Sequence, residues 1–225
     1  MKNTKIPRRE KPLVNDDPEF MRAYDEIRER ILSTGIEGRP SDGAMVVVLF
    51  SRTSGEGVTT VASGLAQSLG RSISRHILLV GNERGGVGPA KVLGVVPRIL
   101  LRSEAGYSSD AVLGSIQHVT ESRVDILSLG GDHSPGDPSW ESYFPKLRAE
   151  YDVIVVDAGS MERDAPLQWC RWADQSLLVV DTTRTQVEAV ERLKADLKHS
   201  RFHLAGSILN KRRHAVPSYL YRWLS

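Results

Sequence analysis

The chain has little of what a disulfide-bonded, membrane-spanning or nucleic-acid-binding protein needs. Its single cysteine, Cys170, excludes an intrachain disulfide and is expected to pack as a free thiol in a reducing cytosol. No apolar run approaches the roughly 18 residues needed to cross a bilayer, and the basic N-terminus lacks the apolar segment of a signal peptide. The net charge of +2 is too balanced to favour nucleic acid as a partner. Together these absences predict a cytoplasmic globular protein.

The N-terminal part of the chain divides into two segments. Residues 1–17 are polar, basic and proline-containing, which predicts a disordered arm. Residues 18–43 begin with a first-turn proline and acid, continue with Phe20, Tyr24, Ile27 and Ile31 at helical spacing, and end in glycines and a proline. They predict an amphipathic helix followed by a linker.

Residues 44–210 have a different pattern, in which short apolar runs alternate with polar helical stretches. The runs are 45–50, 77–80, 125–129, 153–156, 177–180 and 204–209. Continuous apolar runs are typical of strands buried on both faces, which occur in parallel sheets covered by helices. The core is therefore predicted to be a three-layer α/β fold with a mainly parallel central sheet, and residues 211–225 form a short basic tail.

A glycine-containing loop joins the first predicted strand to the first core helix. Gly55 and Gly57 allow backbone N–H groups to approach an anion, and the start of a helix adds a positive dipole. The order of strand, loop and helix is that of a phosphate-binding loop, although a Gly-x-Gly pair alone is equally compatible with a tight turn. Other stretches of the chain decide between these two interpretations.

Several ordered stretches resemble the bacterial tyrosine kinases of capsule and exopolysaccharide assembly, a branch of the deviant P-loop ATPases that includes MinD and ParA. Residues 54–65, SGEGVTTVASGL, resemble their loop P-G-E-G-K-S/T-T-x-x-x-N-L, and residues 151–157, YDVIVVD, resemble their Walker B strand. Asp164 matches the aspartate of their S-D-A segment. Residues 209–213, LNKRR, with Pro217, Leu220 and Tyr221, resemble their L-N-(K/R)-R and P-x-x-L-Y ending.

The resemblance implies a P-loop site for ATP or ADP with Mg²⁺. The implied nucleotide-binding residues are Gly55, Glu56, Gly57, Val58, Thr59, Thr60 and Asn210. Thr59 and Asp157 are the implied Mg²⁺ ligands, and Asp157 and Glu83 are the implied catalytic acids. These roles are expectations taken from the family's motifs.

Two of the family's charged groups are replaced in this sequence. Val58 stands where the loop lysine is expected, and Gly81 stands where the second strand is followed by an aspartate, with Glu83 as the next acid. Each such loss costs about 100- to 1,000-fold in rate. We therefore expect weak nucleotide binding and impaired phosphoryl transfer. The alternative is an active autokinase with a rearranged site, in which Arg52 or Arg84 supplies the missing cation and Glu83 the missing acid.

The resemblance also implies partners. The family docks on a membrane polysaccharide co-polymerase, or chain-length regulator, at the inner face of the plasma membrane. Arg22, Asp25 and Arg28 match the family's subunit-pairing motif E-x-x-R-x-x-R with the first two signs exchanged, which predicts a homo-oligomer or a hetero-oligomer with an active kinase. An ordinary solvated helix face is the competing interpretation. A ParA-type positioning ATPase is disfavoured, because the first helix and the ending match the polysaccharide branch.

Overall fold

A computed structural model describes residues 18–35, 43–72, 76–83, 87–101, 106–120, 122–130, 136–162, 166–199, 202 and 204–211. The predicted arm at 1–17, Arg84, Asp164 and the tail after Lys211, which contains Pro217, Leu220 and Tyr221, lie outside the described residues. Among the helices that the structure describes, none combines the length and apolar character needed to span a membrane.

A mainly parallel sheet of eight strands forms the centre of the molecule. The strands are β1 Met45–Ser51, β2 Ile77–Asn82, β3 Ile99–Leu100, β4 Gln117–His118, β5 Val124–Leu129, β6 Val153–Ser160, β7 Gln175–Asp181 and β8 Gly206–Asn210. Their order is β3-β5-β2-β6-β1-β7-β8, and β4 pairs antiparallel with β5. Each predicted apolar run falls on one of these strands. The predicted α/β fold with a mainly parallel sheet is therefore confirmed.

Helices cover both faces of the sheet. They are α1 Pro18–Gly35, α2 Val58–Ser72, α3 Pro89–Val92, α4 Ser109–Ser115, α5 Trp140–Glu150, α6 Pro166–Trp169 and α7 Val187–His199, with a 3-10 turn at Cys170–Trp172. Alternate residues of β1 enter two apolar cores, since Val47 and Leu49 face α1, α2 and α3, whereas Val48 and Phe50 face the other helices. This alternation explains why β1 is buried along its whole length.

The N-terminal helix is packed into the first of these cores. Tyr24 and Ile31 are buried and Ile27 is partly buried, as their helical spacing predicts, and Met21, which was not in the predicted set, is buried with them. At the end of the helix, the Gln175 side-chain amide donates to the Ile31 carbonyl oxygen over 2.9 Å. Helix α1 is thereby connected to α2 by apolar packing and to β7 by a buried hydrogen bond.

Candidate functional site

The predicted phosphate loop connects the end of β1 to the start of α2. Gly55 and Gly57 have φ angles of 85° and 97°, in the left-handed region that favours glycine. A Cβ atom at Gly57 would also collide with the Asn210 side-chain amide. The carboxyl ends of β1, β2, β6, β7 and β8 meet at this edge of the sheet, which is where ligands bind in parallel α/β folds.

Glu56 ties the loop to the neighbouring strand from inside. Its side chain is buried, and its carboxylate accepts a hydrogen bond from the Thr53 N–H at 3.0 Å. The other carboxylate oxygen accepts from the Thr185 hydroxyl at 2.5 Å and from the Asp181 N–H at 3.4 Å. These bonds fix the loop against the end of β7. They also supply the several donors that a buried carboxylate needs.

Asn210 and Lys211 hold the same loop from the end of β8. The Asn210 amide donates to the Glu56 carbonyl oxygen at 2.8 Å. The Lys211 ammonium donates to the Gly55 carbonyl oxygen at 2.7 Å and to the buried Asp181 carboxylate at 2.8 Å. The Lys211 backbone has a φ of 55°, which is unusual for a residue with a side chain. Asn210 was predicted to lie at this site, and the structure places it against the loop.

Sequence analysis missed Asp181 and Lys211 as site residues. The Lys211 ammonium and the Thr183 hydroxyl lower the pKa of Asp181 well below its usual range, so Asp181 and Lys211 form a charged pair beside Gly55. The sequence did contain a signal for Asp181, because it directly follows the apolar run 177–180, just as Asp157 directly follows the run 153–156. In the structure Asp181 is the last residue of β7, whereas Asp157 lies three residues before the end of β6.

Val58 contributes to the apolar core instead of to the loop's charge. It begins α2, at the position where the resemblance implies a lysine, and its side chain is only 6% exposed. It belongs to the apolar cluster that α1, α2 and α3 form against the sheet. Arg52, the predicted replacement cation within the loop, has an exposed side chain. The other predicted replacement, Arg84, lies outside the described residues.

Gly81 lies beside Asp157 in the sheet, and its surroundings leave no room for a side chain. A Cβ atom at Gly81 would lie 2.5 Å from Cγ of Pro89 and 3.1 Å from Cβ of Asp157. The first residue of α3 thus fills the space next to the position at which the resemblance implies an aspartate. Restoring that aspartate would require Pro89 to move.

Glu83 is engaged at the start of α3. Its carboxylate accepts hydrogen bonds from the Ala90 N–H at 2.8 Å and from the Ser128 hydroxyl at 3.1 Å. Burial raises the pKa of Glu83, and these two hydrogen bonds partly oppose that effect. The contacts are those of a helix cap between β2 and β5. A catalytic role for Glu83 stays a prediction.

Asp157 and Thr59 are the predicted Mg²⁺ ligands. Asp157 is buried at the carboxyl end of β6, opposite Leu49 of β1, and its carboxylate accepts from the Gly159 N–H at 3.2 Å. Thr59 and Thr60 are half-buried in the first turn of α2. A carboxylate and a hydroxyl fit a hard cation that keeps several waters and is completed by substrate phosphates. Their role as Mg²⁺ ligands stays a prediction.

The predicted assembly residues have different surroundings. Asp25 and Arg28 contact α2 of the same chain, whereas Arg22 is exposed. Arg28 donates to the Asp25 carboxylate at 2.6 Å and to the Ser68 hydroxyl at 2.9 Å, and only 13% of its side chain is exposed. Asp25 and Arg28 thus attach α1 to α2 within the chain. The side chain of Arg22 is 82% exposed and lies 3.8 Å from Glu26. An assembly surface on α1 stays a prediction.

Comparison with known proteins agrees with the motifs. No protein-family model matches the chain. The tyrosine-protein kinase CpsD of Streptococcus agalactiae is 25% identical over 209 residues, which cover 87% of this chain and 84% of that protein.

Solved structures of two kinase domains and of a cell division protein share the fold. The kinase domain of Escherichia coli ETK superposes with a TM-score of 0.71 at 19% identity, covering 97% of this chain and 88% of that one. The VpsO kinase domain gives 0.69 at 21% identity, covering 86% and 94%. MinD of Aquifex aeolicus gives 0.61 at 19% identity, covering 76% and 70%. These comparisons support the resemblance to the bacterial tyrosine kinases of capsule assembly, and the chain departs from the motifs of that resemblance at Val58 and Gly81.

Proposed function

We propose that the chain is a regulatory or scaffolding P-loop protein of exopolysaccharide or capsule production and export, with impaired phosphoryl transfer. The observation that carries this proposal is the packing around positions 58 and 81, where the resemblance implies a lysine and an aspartate. Val58 is buried in the apolar core, and Pro89 fills the space beside Gly81. Two losses of preorganised charge, each costing about 100- to 1,000-fold, leave little rate enhancement.

Lys211, a cation that contacts the loop, is already paired with a carboxylate. The Lys211 ammonium binds Asp181 and the Gly55 carbonyl oxygen. Moving it onto a phosphate would leave the buried Asp181 carboxylate without its cation, which is unfavourable. Lys211 therefore supports the shape of the loop and is a poor substitute for the lysine missing at position 58. ATP or ADP with Mg²⁺ would accordingly bind weakly.

The proposed partner is a membrane polysaccharide co-polymerase, or chain-length regulator, at the inner face of the plasma membrane. This part of the proposal rests on the resemblance to the capsule kinases and on the relationship to CpsD. A second copy of this chain or an active kinase would join the same assembly. The retained loop geometry would then present a fixed surface to these partners, without a nucleotide cycle.

The test substitutes Asp157 in cells that depend on this chain for polymer. An active kinase needs the Asp157 carboxylate beside the metal, so Asp157→Asn would abolish tyrosine phosphorylation and disturb the polymer. A scaffold tolerates the isosteric amide, which retains an acceptor for the Gly159 N–H. We expect normal polymer amount and chain length from Asp157→Asn, and loss of polymer when the chain is deleted.

The matched control is Asp152→Asn, at the other end of β6, where the carboxylate accepts from the His76 N–H. Equal expression of both variants excludes a folding defect as the cause of any difference. The purified wild-type protein should also lack phosphotyrosine after incubation with Mg·ATP. Phosphotyrosine on the purified chain that disappears in Asp157→Asn, together with altered polymer, would overturn the proposal.

A further inference from the structure

One edge of the sheet carries exposed aliphatic side chains. In the strand order, β3 is the last strand on that side. Val96, just before β3, is 55% exposed, Ile99 within it is 41% exposed and Leu101 directly after it is 74% exposed. Ile99 and Leu101 converge on Gly130, where a Cβ atom would lie 3.3 Å from Cγ2 of Ile99 and 3.6 Å from Cδ2 of Leu101. Grouped exposure of this kind marks a contact surface, and we call Val96, Ile99 and Leu101 the aliphatic edge.

The charged residues that accompany the aliphatic edge along the chain are cations. Residues 87–101 contain Lys91 and Arg98, both exposed, and no acid, although the whole chain has nearly equal numbers of acids and bases. The Arg98 guanidinium donates to the Gly114 carbonyl oxygen at 2.8 Å, which holds this cation beside the edge. Among the described residues, the next acid along the chain is Asp110, at the start of α4. Such a surface matches a partner that is both apolar and anionic.

We propose that the aliphatic edge, together with Lys91 and Arg98, binds directly to the anionic surface of a lipid bilayer. Aliphatic side chains enter the boundary between headgroups and acyl chains, while lysine and arginine bind the lipid phosphates. The main alternative is a strand added by a partner protein. Strand β3 suits it poorly, because β3 has only two residues and Pro97, just before it, has no N–H to donate.

The setting of this contact rests on the proposed function, which places the chain at the inner face of the plasma membrane. That face carries anionic lipids. The inference adds the lipid itself to the proposed protein partner, so that two weak attachments act together. Two such signals are what stable binding to a membrane surface usually requires.

The experiment measures co-sedimentation of the purified full chain with vesicles of phosphatidylglycerol and phosphatidylcholine, and with vesicles of phosphatidylcholine alone. The edge variant combines Val96→Ser with Leu101→Ser, which removes two exposed aliphatic side chains. Its matched control combines Val187→Ser with Leu209→Ser, an exposed valine and an exposed leucine elsewhere on the surface. Urea denaturation of both proteins checks that they remain folded.

The contribution of charge is tested with Lys91→Gln in α3. Its control is Lys198→Gln, which removes an exposed cation from the last turn of α7. We expect Lys91→Gln to weaken vesicle binding about 5-fold, the effect of one cation close to an anionic lipid surface, and Lys198→Gln to change it by less than about 2-fold. High salt should release wild type, because it screens the attraction. Equal effects of Lys91→Gln and Lys198→Gln would contradict the assigned surface.

We expect wild type to bind the vesicles that contain phosphatidylglycerol far better than those without it, and the edge variant to bind about 10-fold more weakly than wild type. The control pair should bind as wild type. Absence of wild-type binding, normal binding by the edge variant, or equal weakening by the control pair would overturn the inference. An edge variant that loses the co-polymerase in cells, while wild type ignores the vesicles, would assign the edge to a protein partner instead.

Failure of the lipid contact and failure of the proposed function are separate results. The vesicles contain neither a protein partner nor a nucleotide, so absence of binding to them says nothing about phosphoryl transfer. The Asp157→Asn test decides the proposed function without reference to lipid.

Discussion

The two sides of the phosphate loop differ in chemical character. Towards β7 and β8, the loop is held by charged and polar side chains, chiefly Glu56, Asn210 and Lys211. Towards β2 and α3, it borders the buried Val58 and the close contact of Pro89 with Gly81. The first set maintains the shape of the loop, and the second occupies the positions at which the family carries its charges. The shape of the loop and its charge therefore depend on different residues, so the charge can be lost while the shape is kept.

The largest expected effect comes from breaking the polar side at Glu56. Glu56→Ala leaves the Thr53 N–H and the Thr185 hydroxyl without their buried acceptor. We expect the free energy of unfolding to fall by about 2–4 kcal/mol, measured by urea denaturation. Glu150→Ala, which removes an exposed acid, should change it by less than about 0.5 kcal/mol. Similar small effects of both substitutions would show that the polar side does not hold the loop.

The apolar side is tested by returning an acid to Gly81. Gly81→Asp should lower the free energy of unfolding by about 1–3 kcal/mol, because the new side chain meets Pro89. Pro89→Ala opens that space, so the double variant should lose less than the sum of the two single variants. The measurement is a double-mutant cycle in urea. Additive losses would mean that Pro89 does not restrict position 81.

A smaller effect concerns the pH dependence of the free energy of unfolding, through Glu83, which contacts α3 on the apolar side of the loop. Burial raises the pKa of Glu83, so the folded protein binds this proton more tightly than the unfolded chain does. The stability associated with Glu83 is therefore present at acid pH and is lost as pH rises through the raised pKa. We expect the unfolding free energy of wild type minus that of Glu83→Gln to fall between about pH 4 and about pH 7. A difference that is flat or rises over this range would contradict the assignment.

The sequence predicts much of the fold because the main strands are continuous apolar runs. It does not predict β3 and β4, since strands of two residues carry no periodicity. Helix α5 also escaped prediction, because Pro145 inside it is usually a sign that a helix ends. These elements depend on packing against the rest of the molecule.

The site is predictable to the extent that it lies in local motifs. Gly55, Gly57 and Asp157 follow buried strands or precede a helix, and their spacing is visible in the sequence. The contact of Lys211 with Gly55 joins residues 156 positions apart, and the contact of Glu162 with Ser54 joins residues 108 apart. Pairings at such separations depend on strand order, which a single sequence does not contain.

The most direct test of the separation between shape and charge is calorimetric titration of the purified chain with Mg·ATP, alongside Val58→Lys. The account predicts that wild type shows no binding in the low-micromolar range, because the loop has its shape but no ammonium at position 58. Val58→Lys should tighten binding by about 10- to 100-fold, the contribution of one hydrogen bond to a charged group, without rapid hydrolysis, because Gly81 remains. Low-micromolar binding by wild type, or rapid hydrolysis by Val58→Lys, would contradict it.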